Sequence, residues 1–311
     1  MTESTWQPFD YRLKFYFGEL ELANVVVPVH RRVFTFDEIK AGVSDSQLPP
    51  ISPTQEGFLL SNMPIGVDEQ TCQAPAGWLI HRLKTYQRCY IDMSGDFEAY
   101  KAKFSSKSRS GINRKIKKFA DESGGLDMRL YRHPDELDTF FALAGKVSAA
   151  SYQERLLDCG LPRSAGDIET AKSTAERGDI RAFLLFSHGQ PVSYLYCPIE
   201  DAVLQYAYLG YLPESAKLSP GTVLQWLALE ALYSEQRFRA FDFTEGDSDH
   251  KRFFSTHQVS CKQELLLRPT MRNQCLMGLH TAFQQLSDRS VKTLERLGLK
   301  QKIKRWIRRS A

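Results

Sequence analysis

Residues able to move protons crowd into one short stretch of the chain. Asp242, Glu245, Asp247, Asp249 and His250 fall within it, with Tyr206, Tyr208 and Tyr211 upstream. Carboxylates, an imidazole and phenols suit general acid–base work because their proton affinities span a wide range. His250 has the unperturbed pKa closest to neutrality. Asp242 lies between Phe241 and Phe243, so strand alternation sends it to the face opposite both rings. At the end of a strand it is either a base facing a cleft or an acceptor for backbone N–H groups of the following turn. Asp247 is placed to cap a helix that starts near Ser248. The tyrosines, Tyr208 among them, are either proton donors or ordinary strand formers. The residues alone single out no one base.

Other chemistries lack their residues. His250 and His257 have no second pair of ligands at zinc-binding spacing, so no metal is expected. No Gly-x-Ser-x-Gly elbow marks a serine nucleophile. Cys72, Cys89, Cys159, Cys197, Cys261 and Cys275 are dispersed without a CxxC pair and read as mostly buried small hydrophobes.

Charge is concentrated rather than spread. The net charge is +4, yet Lys101 to Lys118 holds eight basic residues and no acid. Arg289 to Arg309 adds nine basic residues against Glu295 alone. In the first segment Lys107, Arg109 and Arg114 are candidates to hold phosphates or a polyanionic substrate, and Lys251 joins them beside the acidic turn. The alternative is a solvated helix face. In the second segment Val291, Leu294, Leu297, Leu299, Ile303, Trp306 and Ile307 recur among lysines and arginines. That pattern fits peripheral contact with anionic lipid, or a helix docked by its apolar side. With no signal-like start and no long apolar run, a cytoplasmic location is expected, peripheral to the inner membrane if the tail binds lipid.

The elements that must position these residues follow from periodicity. Residues 10–34 alternate as a hairpin, and residues 41–77, rich in Pro, Gly and Ser, read as loop with short elements. Short apolar stretches at 78–80 and 90–93 precede a helix capped by Asp96. Residues 106–121 form a cationic helix with one thin apolar stripe, stopped by Gly124 and Gly125. Beyond 125 the order is strand 126–131, helix 135–150, helix 167–177, strands 181–186, 191–196 and 203–209, a helix opened by Ser219-Pro220-Gly221-Thr222, strand 238–243, a short helix, and strand 259–268. This predicts a mixed central sheet flanked by helices, α/β (α+β) in class. The expected division is 1–125, 126–268 and a helical tail, 269–311.

That order resembles the GNAT (Gcn5-related N-acetyltransferase) fold, with a smaller GNAT-like N-terminal half. Three segments are similar to its CelD-like branch, associated with cellulose and exopolysaccharide gene sets and related to FemAB aminoacyltransferases. They are residues 97–119, Tyr206-Ala-Tyr-Leu-Gly-Tyr211 followed by Ser219-Pro-Gly-Thr-Val-Leu224, and Phe241-Asp-Phe-Thr-Glu-Gly-Asp-Ser-Asp-His-Lys-Arg-Phe253. His250 departs from the branch's Tyr, and Ser255 from its usual Gly. The resemblance implies transfer of an acyl group from acyl-CoA, or an acyl-carrier protein, to an amine on a small molecule or glycan. No metal is implied. Pantetheine would lie along a splayed strand, at Gln205 and Ala207, with pyrophosphate on the helix start Ser219, Pro220, Gly221 and Thr222. Asp242, Asp247, His250 and Tyr208 would serve proton transfer. The FemAB relationship keeps aminoacyl-tRNA as an alternative donor, and a non-catalytic GNAT-fold adaptor at the membrane is the remaining reading.

Overall fold

The computed structural model describes residues 6–18, 20–42, 48–66, 77–151, 160–246 and 248–296. The chain forms two compact units, Met1–Tyr86 with Val259–Ala311, and Gln87–Gln258. The expected division at 125 runs through the second unit. The amphipathic helix just before it has its buried residues Ile112 and Phe119 in the same core cluster as Phe183 and Leu229, so it folds together with the strands and helices after residue 125. The described part of the tail, to residue 296, likewise belongs to the first unit instead of standing alone, and the lipid-contact pattern from Leu297 onward lies outside the described residues.

In the first unit β1 (Gln7–Phe17) and β2 (Leu20–Val33) make the antiparallel hairpin, and β2 runs parallel to β3 (Gly57–Pro64). β3 lies within the stretch expected to be loop with only short elements, and Gly57 and Pro64 bound its apolar run. β3 pairs antiparallel with β11 (His257–Leu267). Between β2 and β3, α1 (Phe36–Ala41) is closed by a Thr35–Glu38 capping box and by Gly42 in the left-handed region. The two short apolar stretches around residues 80 and 90 are the ends of one long strand, β4 (Leu79–Asp92). Its middle is rich in basic and polar residues, which hid its continuity.

The C-terminal helix α8 (Met271–Arg296) packs on β1. Phe15 meets the His280 and Phe283 rings edge-on at 5.1 and 5.8 Å. His280 Nε2 lies 3.2 Å from the Lys14 carbonyl oxygen, which can only accept, so this nitrogen carries the proton. The neutral His280 Nδ1 is then an acceptor, and His81 Nε2–H donates to it at 2.8 Å. Burial lowers the pKa of both rings below the ordinary 6.5.

In the second unit β10 (Ala240–Asp242) lies between the end of β4 and β8 (Val203–Gln205). The sheet continues through β7 (Gln190–Glu200) and β6 (Ile180–Ser187) to β5 (Asp127–Tyr131), and β9 (Tyr208–Tyr211) also pairs with β7. β6 is buried along almost its whole length because both faces are covered. Ala182, Leu184 and Phe186 join the cluster under α4 (Pro134–Ala150) and α5 (Ala165–Glu176). Phe183 and Leu185 join the opposite cluster, with α2 (Phe97–Ala102), α3 (Ser106–Ser123) and α6 (Pro220–Ser234). Asp96 caps α2 as expected, accepting from Ala99 N–H at 2.7 Å, and Gly124 ends α3 at φ 76°. This is the mixed α/β arrangement that the element order predicts.

The histidine pair generates a pH prediction. Burial makes both folded rings bind protons more weakly than the unfolded rings, which take them up from about pH 6.5 downward, so stability is full above that value and declines below it. Melting temperature should fall between about pH 7 and pH 5. A His81→Phe/His280→Leu variant should lose that part of the pH dependence; an unaltered slope would contradict it.

Candidate functional site

The site begins where two strands part. β8 and β10 are parallel neighbours over Val203–Gln205, and Tyr206 N–H still donates to the Asp242 carbonyl at 2.8 Å. Then they diverge. Phe243 N–H turns to the Cys89 carbonyl on β4 at 3.0 Å, while Ala207 N–H turns to Tyr196 on β7 at 3.2 Å. The strand expected to run unbroken over 203–209 is therefore two strands, β8 and β9, separated at 206–207. β9 continues along β7 alone among the described residues.

Register identifies the groups left on the open side. Leu212 N–H donates to the Val192 carbonyl at 2.9 Å, so the main-chain groups of residues 210 and 208, at two-residue intervals, also face β7. Alternation turns those of Leu209 and Tyr211 toward the free edge. Gln205, by contrast, pairs with Asp242 on β10, and the Ala207 N–H is taken by Tyr196. The available edge thus lies further along than the expected Gln205–Ala207. Gly210 must be glycine, because a Cβ there would meet Tyr194 Cε1 at 2.5 Å.

α6 starts against this edge. Ser219 is left-handed at φ 54° and its hydroxyl makes no cap bond, so the helix does not start as an ordinary serine N-cap. Its carbonyl instead takes the N–H groups of Thr222 and Val223 at 3.0 and 3.1 Å. Pro220 has no N–H to satisfy, which leaves the Gly221 N–H at the positive end of the helix dipole outside those bonds. A Cβ on Gly221 would stand 3.4 Å from Leu209 Cδ2 and 3.5 Å from Tyr211 Cδ1, so helix start and strand edge are side by side. Thr222 is half-buried beside them. Lys118, at the end of α3, donates to the Lys217 carbonyl at 3.2 Å, bringing the cationic helix to the same corner.

The proton-transfer candidates are dispersed. Asp242 is wholly buried and accepts from Arg88 Nε at 3.1 Å on each carboxylate oxygen, with a further bond from an Arg88 terminal nitrogen. Its Oδ1 also accepts from Thr244 N–H at 2.9 Å. This is the backbone-acceptor role, strengthened by an ion pair, and not a base open to a cleft. Arg88 carries no sequence signal, since its partner is 154 residues away. Lys251 is likewise committed: its Nζ donates to the Phe243 and Glu245 carbonyls at 2.7 and 2.6 Å, and burial lowers its pKa. It clasps the turn instead of reaching for a polyanion. Tyr208 lies toward the α4 side, with its ring 6.3 Å from Tyr196. Asp247 lies outside the described residues.

His250 opens α7 (Asp249–Phe254), which Ser248 caps through Lys251 N–H. Its ring lies 4.9 Å from Phe254 and 6.4 Å from Tyr206, and its buried Nε2 has no hydrogen-bond partner. Burial, then Lys115 and Lys251, push its pKa down to about 4. Lys107, Arg109 and Arg114 are exposed on α3 and make no ion pair among the described residues. No group of His, Cys, Asp and Glu suited to a metal occurs among the described residues.

The buried pair generates the second prediction. Arg88→Met strands a carboxylate in the core and should cost about 3 kcal/mol or more in urea unfolding. Asp242→Asn should also destabilise. An Asp242→Asn protein of native stability but without activity would instead mark Asp242 as a base.

Residues 106–252 match the family described as the acetyltransferase (GNAT) domain. In three dimensions the chain is similar to FemX, at 13% identity and TM-score 0.52, over 88% of this chain and 90% of that one. It is also similar to L-PGS from Bacillus licheniformis, at 12% identity and TM-score 0.51, over 86% and 87%. No curated protein matches the sequence. No described helix is long and apolar enough to cross a membrane. The chain has a mixed α/β, GNAT-like fold, and residues 106–252 within it are similar to the GNAT acetyltransferase domain.

Proposed function

We propose that the protein transfers an acyl group from a phosphopantetheine thioester, with acyl-CoA as the simplest donor, to an amine. The observation that carries this reading is the parting of β9 from β10 beside the start of α6. An extended arm with amide groups can pair with Leu209 and Tyr211 as an added strand. Its phosphate end then falls at Gly221 and Thr222, where the Gly221 N–H, the Thr222 hydroxyl and the helix dipole favour an anion. Ser219 and Pro220 shape that turn. The thioester carbonyl would gain oxyanion stabilisation from a free N–H of the open edge.

Of the catalytic candidates, His250 keeps a neutral imidazole at physiological pH and a free nitrogen, but its low pKa makes it a weak base. Positioning of donor and amine then supplies most of the acceleration. The CelD-like motifs favour an amine on a glycan or small envelope precursor as acceptor. The cytoplasmic, membrane-peripheral setting is part of the same reading. FemX aligns over 88% of the chain, well beyond the GNAT domain, and this favours aminoacyl-tRNA as the second donor to test.

Acetyl-CoA should raise the melting temperature of the full chain. Gly221→Asp puts a carboxylate at the phosphate end and should weaken CoA binding at least about tenfold. Gly221→Ala, whose Cβ the neighbouring side chains can accommodate, is the folding control. Equal CoA affinity in Gly221→Asp and the unaltered protein would move the donor site elsewhere. If His250 contributes to proton transfer, its ionisation should appear in the acid limb of the rate profile near pH 4, not near 6.5. A limb near 6.5 surviving in His250→Gln would assign that ionisation to another group.

A further inference from the structure

Apart from Lys118, the cationic face of α3 makes no ion pair that holds the fold among the described residues. Ile112, Phe119 and Ser123 are its buried positions, while Lys107, Arg114 and Lys118 recur at i, i+7 and i+11 on the opposite side. Lys115 and Lys117 flank this row, and all five are exposed. Lys107, Arg114, Lys115 and Lys117 make no ion pair among the described residues, and Lys118 pairs only with Glu122, at 3.9 Å. Between Lys101 and Lys118 no acid interrupts the run. Like charges aligned on one helix repel one another and weaken it, so the row costs stability unless something anionic lies against it.

Position narrows what that is. The row ends at Lys118, whose Nζ donates to Lys217 in the 3-10 helix Pro213–Leu218, directly before the start of α6. From there to Lys107 it extends about 16 Å away from the donor corner. A free nucleotide at the start of α6 has no reason to use a row of that length. We infer that α3 docks an acidic acyl-carrier protein, which delivers the acyl group on its phosphopantetheine arm into the edge formed by Leu209 and Tyr211. This rests on the donor-site reading above. The arm's amides suit a strand edge, whereas the terminal ribose of a tRNA offers none. The one aromatic residue of α3, Phe119, is buried, so the exposed face has no ring on which bases could stack. A single helix makes a small, charge-steered interface, which suits a carrier that must dissociate after each transfer.

The transfer balances without another reactant. The acceptor nitrogen attacks the thioester carbonyl, the C–N bond forms and the C–S bond breaks. The sulfur leaves with the bond pair and takes the proton that the amine gives up, so the carrier departs with a free thiol.

The test uses the full-length chain with three probes: an acidic carrier protein loaded with an acetyl thioester, free acetyl-CoA, and bulk tRNA. The carrier should bind, and Lys107→Glu/Arg114→Glu should weaken it about tenfold or more, as should added salt. Circular dichroism checks that the double variant folds, and Lys107→Gln/Arg114→Gln, which removes charge without reversing it, should give an intermediate loss. Carrier affinity indifferent to both variants overturns the inference. So does tRNA bound more tightly than carrier and lost in the double variant. Acetyl-CoA bound and carrier not bound overturns the docking alone; neither bound overturns the donor reading with it.

Discussion

The ion pair between Arg88 and Asp242 sits where the sheet of the second unit divides. Both side chains are buried, and the arginine reaches across from β4 to the last residue of β10. Taking two charges out of water is costly, so the pair persists only because its geometry is good and its remaining valences are used. Asp242 spends one on Thr244 N–H, which holds that residue at φ 58° and turns the chain away from β8. Lys251 then fixes the turn through two carbonyls. With β10 drawn to β4 and β9 kept on β7, an open strand edge is left between them. The carboxylate most easily mistaken for a base is thus part of the frame that shapes the site.

A second constraint lies on the other side of that edge. Gly210 lies under Tyr194, and Gly221 lets the start of α6 come against Leu209 and Tyr211. α6 itself is apolar nearly all round because it is covered by the sheet on one side and by α2 and α3 on the other. Burying that helix sets where its N-terminus points, and so where an anion would be received. α3, packed by Ile112 and Phe119, brings its basic face to the same corner without contributing charge to the core.

Much of the frame was legible locally. The hairpin, the Asp96 cap, the Gly124 stop and the strand–helix order after residue 125 follow from periodicity and capping, whose causes lie within a few residues. β3 and the middle of β4 were not legible. β3 is short and punctuated like a loop, and the polar residues at the centre of β4 are satisfied by neighbours far away in sequence, such as Glu264 with Arg82 and His280 with His81.

The site divides along the same line. Residue order alone is enough to say that 203–222 join a strand to a helix with a Pro-Gly start, that the acids and His250 follow a strand, and that α3 is cationic. It takes the folded chain to break that strand at 206–207, to give the open groups to Leu209 and Tyr211, and to commit Asp242 and Lys251 to a turn. Hydrogen-bond partners across a sheet and the desolvation of a charge depend on which distant residues arrive beside them. Periodicity along one segment carries no record of that arrival.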